Sequence, residues 1–136
     1  MSASPIAAWH RLVMNRHAAG IEAMLADDAV FYSPVVHTPQ VGKPITFKYL
    51  ASAFDVLFNP TFRYTREIEG PRDAMLEFET VIDGLTVNGV DIIRWNDAGL
   101  ITEFKVMLRP LKAVNLVHQH MGAMLQAAQQ QQQQPG

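Results

Sequence analysis

Cysteine is absent from the 136 residues. That excludes disulfides, thiolate metal ligands and a cysteine nucleophile, and it fits a reducing compartment. Charge is sparse: only 18% of residues are Asp, Glu, Lys or Arg, and the net charge is −2. No basic stripe is visible, so a nucleic-acid backbone would find little to bind and no nucleic-acid partner is expected. No apolar run approaches the roughly 18 residues that suggest a membrane helix. The opening Met-Ser-Ala-Ser-Pro lacks the charged start and long apolar core of a signal peptide. The expectation is a soluble cytoplasmic domain with no membrane partner. Also missing are a glycine-rich phosphate loop, a His-Glu-x-x-His pair and a nucleophile elbow around Ser33 or Ser52. His118 and His120 are two apart and point to different helix faces, and His10 and His17 lie about two turns apart. No metal or other cofactor is expected.

What is present is apolar. Hydrophobic residues make up 49% of the chain, enough for one core with some left over to line a cavity, and the length suits one domain. Ser4-Pro5 is a helix start, with a hydroxyl at the N-cap and proline at the first helical position. Ile6, Trp9 and Val13 recur at helical spacing and predict a first helix to about His17. After Gly20 a short helix is expected over Ile21 to Leu25, ending at Asp27-Asp28, followed by a brief strand from Ala29 to Ser33. Pro34 to Pro44 holds three prolines and Gly42 and reads as a loop. Phe47, Leu50, Phe54, Leu57 and Phe58 describe a third helix from Ile45, stopped by Asn59-Pro60.

Beyond Pro60 the period changes from 3.6 to 2. Phe62, Tyr64 and Ile68 alternate with polar residues, as do Leu76, Phe78, Thr80 and Ile82 in the next run. Gly89, Asp91, Ile93 and Trp95 share one face of a third run, and Phe104, Val106 and Leu108 one face of a fourth. Turn signals at Gly70-Pro71, Asp83-Gly84 and Asn96-Asp97-Ala98-Gly99 predict an antiparallel meander. Leu111, Val114, Val117, Met121 and Leu125 predict a C-terminal helix. The domain is expected over residues 1–128, with a Gln-rich tail over 129–136, a frayed extension of that helix or a disordered segment, to which no function is assigned. The fold class is therefore α+β, with N-terminal helices packed on a strongly curved antiparallel sheet and a C-terminal helix. The outer sheet face carries Val90, Ile92 and Met107, and a homodimer is the expected cover for it.

Particular stretches carry a family resemblance. Leu25-Ala26-Asp27-Asp28-Ala29-Val30, Ser33-Pro34 and Gly42-Lys43 resemble the ketosteroid isomerase and SnoaL-like polyketide cyclase branch of the nuclear transport factor 2-like superfamily. So does the strand–turn–strand run from Gly89 to Ile101, and Val106-Met107-Leu108-Arg109-Pro110-Leu111 resembles uncharacterised bacterial members. The resemblance spans about residues 6 to 125 and implies a cone-shaped fold with an internal pocket. In ketosteroid isomerases an aspartate base precedes the proline that Pro34 resembles; here Ser33 stands there. Those enzymes also place a tyrosine on the first helix, where the matching stretch around Leu12 and Val13 has none. Their third group, a protonated aspartate in the oxyanion hole, matches Asp91.

The candidate site follows from these readings. Asp91 lies mid-strand on the inward face, and a buried carboxylate must be paired or protonated. It either faces a ligand as an acid or bonds to the first helix, through His10 or Arg11. His37, in the proline-rich loop, is the candidate base in place of the missing aspartate, with an exposed loop histidine as the alternative. Tyr32 and Tyr49 offer hydroxyl donors to a ligand carbonyl, with ordinary core tyrosines whose tips reach water as the alternative. Trp9, Phe54, Phe58 and Phe78, with Trp95, Phe104 and Leu108, are expected to line the cone or fill its core. The ligand expected is a small apolar or carbonyl-bearing molecule, either bound and turned over or bound by a module without turnover.

Overall fold

Period-2 patterning builds a six-stranded sheet, and the helices pack against its concave side. The computed structural model describes residues 4–133. Helix α1 spans Ile6–Asn15, a 3-10 turn covers Ala18–Gly20, and α2 is one turn, Ile21–Met24. Ser4 Oγ accepts a hydrogen bond from Ile6 N–H at 3.2 Å, as a capping hydroxyl should. Helix α1 stops two residues before His17 because Arg16 turns into the left-handed region, at φ 52°. Strand β1 runs Leu25–Tyr32, β2 Gln40–Val41, and α3 Lys43–Leu57. Strands β3 (Arg63–Glu69), β4 (Asp73–Ile82), β5 (Leu85–Trp95) and β6 (Ile101–Arg109) follow, and α4 covers Leu111–Gln133. The helix thus continues through most of the Gln-rich run.

The sheet order is β2-β1-β6-β5-β4-β3. Strands β3 to β6 form the predicted antiparallel meander. Strand β1 instead pairs parallel with β6, so the sheet is mixed. It begins at Leu25, four residues earlier than predicted, and takes in Asp27 and Asp28. Those acidic residues are exposed where the β1–β6 register shifts, so a polar pair that signals a helix end locally is accommodated within a strand. Helix α3 begins two residues earlier than predicted, since Pro44 in the first turn needs no N–H partner.

Two buried threonines lock α3 to the sheet. Thr46 donates to the Ala29 carbonyl at 3.0 Å, and Thr80 donates to the Leu57 carbonyl at 3.0 Å. The second bond satisfies a carbonyl that the helix end leaves free. The inward faces of β4 and β5 follow the alternation closely, with Leu76, Phe78, Val87, Asp91, Ile93 and Trp95 all buried. Trp95 sits in this core with its indole N–H unpartnered, and Phe78 stacks on Phe62 at 5.1 Å.

Strand β3 departs from simple alternation. Tyr64 pairs with Phe78 and Arg66 with Glu77, so two β3 steps face one on β4. This bulge inverts the phase. Tyr64 points inward while Ile68, expected on the same face, is 62% exposed on the outer one.

Gly89 fits between neighbours that leave no room for a side chain. A Cβ there would lie 2.5 Å from Phe78 Cζ and 2.7 Å from the Met107 carbonyl oxygen. The Met107 contact is with backbone, which cannot swing aside. Gly89→Ala is therefore expected to lower unfolding free energy by about 1–3 kcal/mol in urea melts; unchanged stability would show that the strands separate freely here.

Candidate functional site

Asp91 sits at the centre of β5, and the strand's alternation turns it into the cone. It is 3% exposed. Among the described residues no cation pairs with it. Its carboxylate oxygen Oδ2 accepts a hydrogen bond from the Tyr64 hydroxyl at 2.9 Å, and that hydroxyl accepts one from Trp9 Nε1–H at 2.9 Å. Three elements, α1, β3 and β5, thus converge on one chain of donors ending at the acid. The bond to the first helix expected through His10 or Arg11 is not made. His10 instead lies 2.6 Å from Glu67 on the outside of the helix.

Burial pushes the Asp91 carboxyl up to about 7, and the Tyr64 hydrogen bond draws it part of the way back. Burial, and then the Asp91 charge, hold the Tyr64 hydroxyl well above the ordinary tyrosine range. Tyr64 therefore keeps its proton and acts only as a donor to Asp91.

Beside the carboxyl lies a niche of about 10 Å³, walled by Trp9, Phe54, Phe58, Phe104, Leu50 and Val106 among others. That volume holds about one water. A second apolar cavity of about 80 Å³ lies between α3, α4 and the segment Ser33 to Val36. The two spaces share Ala53, Leu57 and Val106 as a common wall.

The candidate residues separate into groups. Trp9, Phe54, Phe58 and Phe104 surround Asp91, with Trp9 and Phe104 rings 5.1 Å apart. Ser33, Tyr49 and Leu108 line the larger cavity, where Tyr49 stacks on Phe31 at 5.6 Å. Phe78 and Trp95 belong to the core and line neither space. Tyr32 and His37 line an open concavity beside Lys105 and Met107, which shares Ser33, Pro34, Val36, Val106 and Leu108 with the larger cavity, and Lys105 Nζ is 5.0 Å from the Tyr32 ring. His37 is exposed there and does not line the Asp91 niche. Ser33 Oγ is occupied by accepting the Val35 N–H at 3.1 Å, which fixes the turn.

Two residues beside these spaces fall outside the predicted site set. Tyr64 is one; its inward phase depends on the bulge, although its spacing from Phe62 hinted at it. His118 is the other, lining the larger cavity from α4. No group of three or more His, Asp or Glu side chains among the described residues is placed to hold a metal ion. Among the same residues, no helix is long and apolar enough to cross a membrane.

The raised pKa has a consequence for stability. The folded protein keeps the Asp91 proton to about pH 7, whereas the unfolded chain releases it near 3.9. Its contribution to stability is fully present below about pH 4 and is lost as pH rises through 7. Asp91→Asn has no proton to lose. Between pH 4 and pH 8 the difference in unfolding free energy should move in the mutant's favour by roughly 2–4 kcal/mol. Urea melts of both proteins across that range check this; a difference that is flat, or that moves the other way, contradicts it.

Comparison with known proteins places this geometry in a family. The profile of the SnoaL-like domain matches residues 6–104. The structure of a steroid delta-isomerase from Pseudomonas aeruginosa is 33% identical and superposes with a TM-score of 0.85 over 90% of each chain. An uncharacterised bacterial protein with a cystatin-like fold from Silicibacter pomeroyi is 32% identical, with a TM-score of 0.79 over 87% of this chain and 82% of its own. A Catenulispora acidiphila protein with a ketosteroid isomerase-like fold, in complex with trimethylamine, shares the fold at 14% identity, with a TM-score of 0.60 over 84% of this chain and 91% of its own. No protein of curated function matches the chain by sequence. From the profile match and the two relatives above 30% identity, the chain belongs to the SnoaL-like domain family of the nuclear transport factor 2-like superfamily.

Proposed function

We propose that the cone binds a small, mostly apolar molecule bearing a carbonyl, and that Asp91 in its protonated form donates a hydrogen bond to the carbonyl oxygen. The observation that carries this reading is a carboxyl with no cation partner, in an apolar niche, with a pKa raised to about 7. One of its oxygens, Oδ2, is taken by Tyr64. The other is left to carry the proton toward the niche. A neutral acid in low dielectric is a strong donor that needs no counterion. The likeness to a steroid delta-isomerase favours an apolar ligand.

Binding without turnover is the reading the site favours. An isomerase needs an acid and a base converging on one substrate. Among the described residues walling the Asp91 niche, no second titratable side chain is present. Ser33 stands where an isomerase base would be, and its hydroxyl caps a turn. The likeness to the isomerase keeps a second reading in play, an isomerase- or cyclase-like reaction with water or the substrate as base. Turnover of a simple enone steroid, lost in Asp91→Ala, would establish that second reading.

The spaces in this closed form are small. A ligand of more than a few atoms enters only when the side chains between α3 and α4 move apart. With 2-decanone as probe, calorimetry should show affinity falling about tenfold per pH unit above 7 as Asp91 ionises. In Asp91→Asn the affinity should be nearly flat with pH. Equal affinity at pH 5 and pH 9 in the wild type would remove Asp91 from the binding site.

The same reading includes a homodimer. On the outer face Ile68, Met75 and Met107 are 62%, 44% and 50% exposed. Cross-strand register sets Ile68 beside Met75 and Ile92, and Val90 beside Met107. Arg66–Glu77 and Arg63–Glu79 flank this patch with both signs of charge, which a two-fold copy can pair against itself. Sedimentation equilibrium at micromolar concentration should give a dimer, and Met107→Glu a monomer. A monomeric wild type would contradict the proposal.

A further inference from the structure

Gly122 lies mid-way along α4, where a glycine weakens a helix relative to alanine. Other glycines in the chain have visible reasons. Gly42 and Gly84 take positive φ, at 112° and 78°. A Cβ on Gly20 or Gly89 would lie 2.5 Å from a neighbouring side chain. At Gly122 neither reason applies, because a Cβ there would meet nothing within 4 Å. Gly122 is one of the residues that line the larger cavity. Val117, His118, Met121, Gly122 and Leu125 form one stripe of α4 along that cavity. Gly122 is exposed while lining it, so the cavity reaches solvent at this residue.

Resting on the reading of Asp91 as the ligand's hydrogen-bond donor, we propose that Gly122 is a specificity-determining residue: it keeps the α4 end of the cavity open for the tail of a slender aliphatic carbonyl compound. The head sits at Asp91, and the tail passes Ala53, Leu57 and Val106, the wall common to both spaces, toward α4. The slender shape follows from the wall: the two spaces adjoin at Ala53, Leu57 and Val106, and an unbranched chain needs these side chains to part less than fused rings do. The lining at the far end, including Val35, Val36, Met121 and Leu125, is apolar and matches an alkyl tail. Ligand length is then read at Gly122, because a side chain there would occupy the space the last carbons need.

The test is a homologous series of methyl ketones, 2-hexanone to 2-dodecanone, titrated calorimetrically into wild type, Gly122→Ala and Gly122→Leu. Both substitutions place better helix formers on an exposed position, so both variants should fold, with melting temperatures about 2–5 °C above wild type. In the wild type, affinity should rise with chain length to 2-dodecanone. In Gly122→Leu the longest ketone should lose at least tenfold in affinity while 2-hexanone stays within twofold. Gly122→Ala should fall between the two. Equal weakening of short and long ketones, or no weakening of either, would overturn the role of Gly122 while leaving the Asp91 site standing. Failure of the wild type to bind any ketone of the series would overturn the Asp91 reading and this inference with it.

Discussion

The hydrogen-bond chain from Trp9 through Tyr64 to Asp91 is the interaction on which the rest of the site depends. A carboxylate brought into an apolar interior would be far more costly than its neighbours could offset. Here it is kept by staying protonated near neutral pH and by one well-made donor from Tyr64. Trp9 in turn fixes which way the tyrosine points, because its N–H takes the lone pair and leaves the hydroxyl proton for Asp91. The three residues come from α1, β3 and β5. The acid therefore has its present character only when the first helix is docked on the sheet and β3 is in its bulged register.

Close approach on β5 serves the same arrangement. Gly89, two residues before Asp91 and on the same face, lets Phe78 and Leu108 close over the strand. The aromatic cluster behind the acid is built from edge-on contacts, with Phe54 and Phe58 rings 4.3 Å apart and Phe58 and Phe62 4.2 Å apart. Such packing excludes water from the carboxyl and is the physical source of its raised pKa. Polarity of the cone thus narrows to one group. On the proposed reading, the site recognises a hydrogen-bond acceptor on an otherwise apolar molecule.

Much of this was legible in the sequence because alternation is local. The inward set of β4 and β5, Asp91 included, followed from period two alone, as did the outer positions of Val90, Ile92 and Met107. The resemblance carried by Gly89 to Ile101 gave the fold. What escaped depended on partners far away in the chain. Asp27 and Asp28 look like a helix end until β6 pairs beside them. Tyr64 and Ile68 share a phase until the bulge separates them, so the alternation alone does not single out Tyr64 as the partner of Asp91. His37 lies in a loop whose direction no pattern sets, and it is exposed. His118 depends on which stripe of α4 meets the cavity, a matter of docking rather than of sequence spacing.

The central claim is that Asp91 is an acid holding its proton near neutral pH because of burial, moderated by Tyr64. Its carboxyl carbon can be followed by ¹³C NMR through a pH titration of the full chain, assigned by its loss in Asp91→Asn. The account predicts a titration midpoint near 7, moving upward in Tyr64→Phe as the stabilising donor is removed. A midpoint at or below the ordinary aspartate value of about 3.9, or a downward move in Tyr64→Phe, would contradict it.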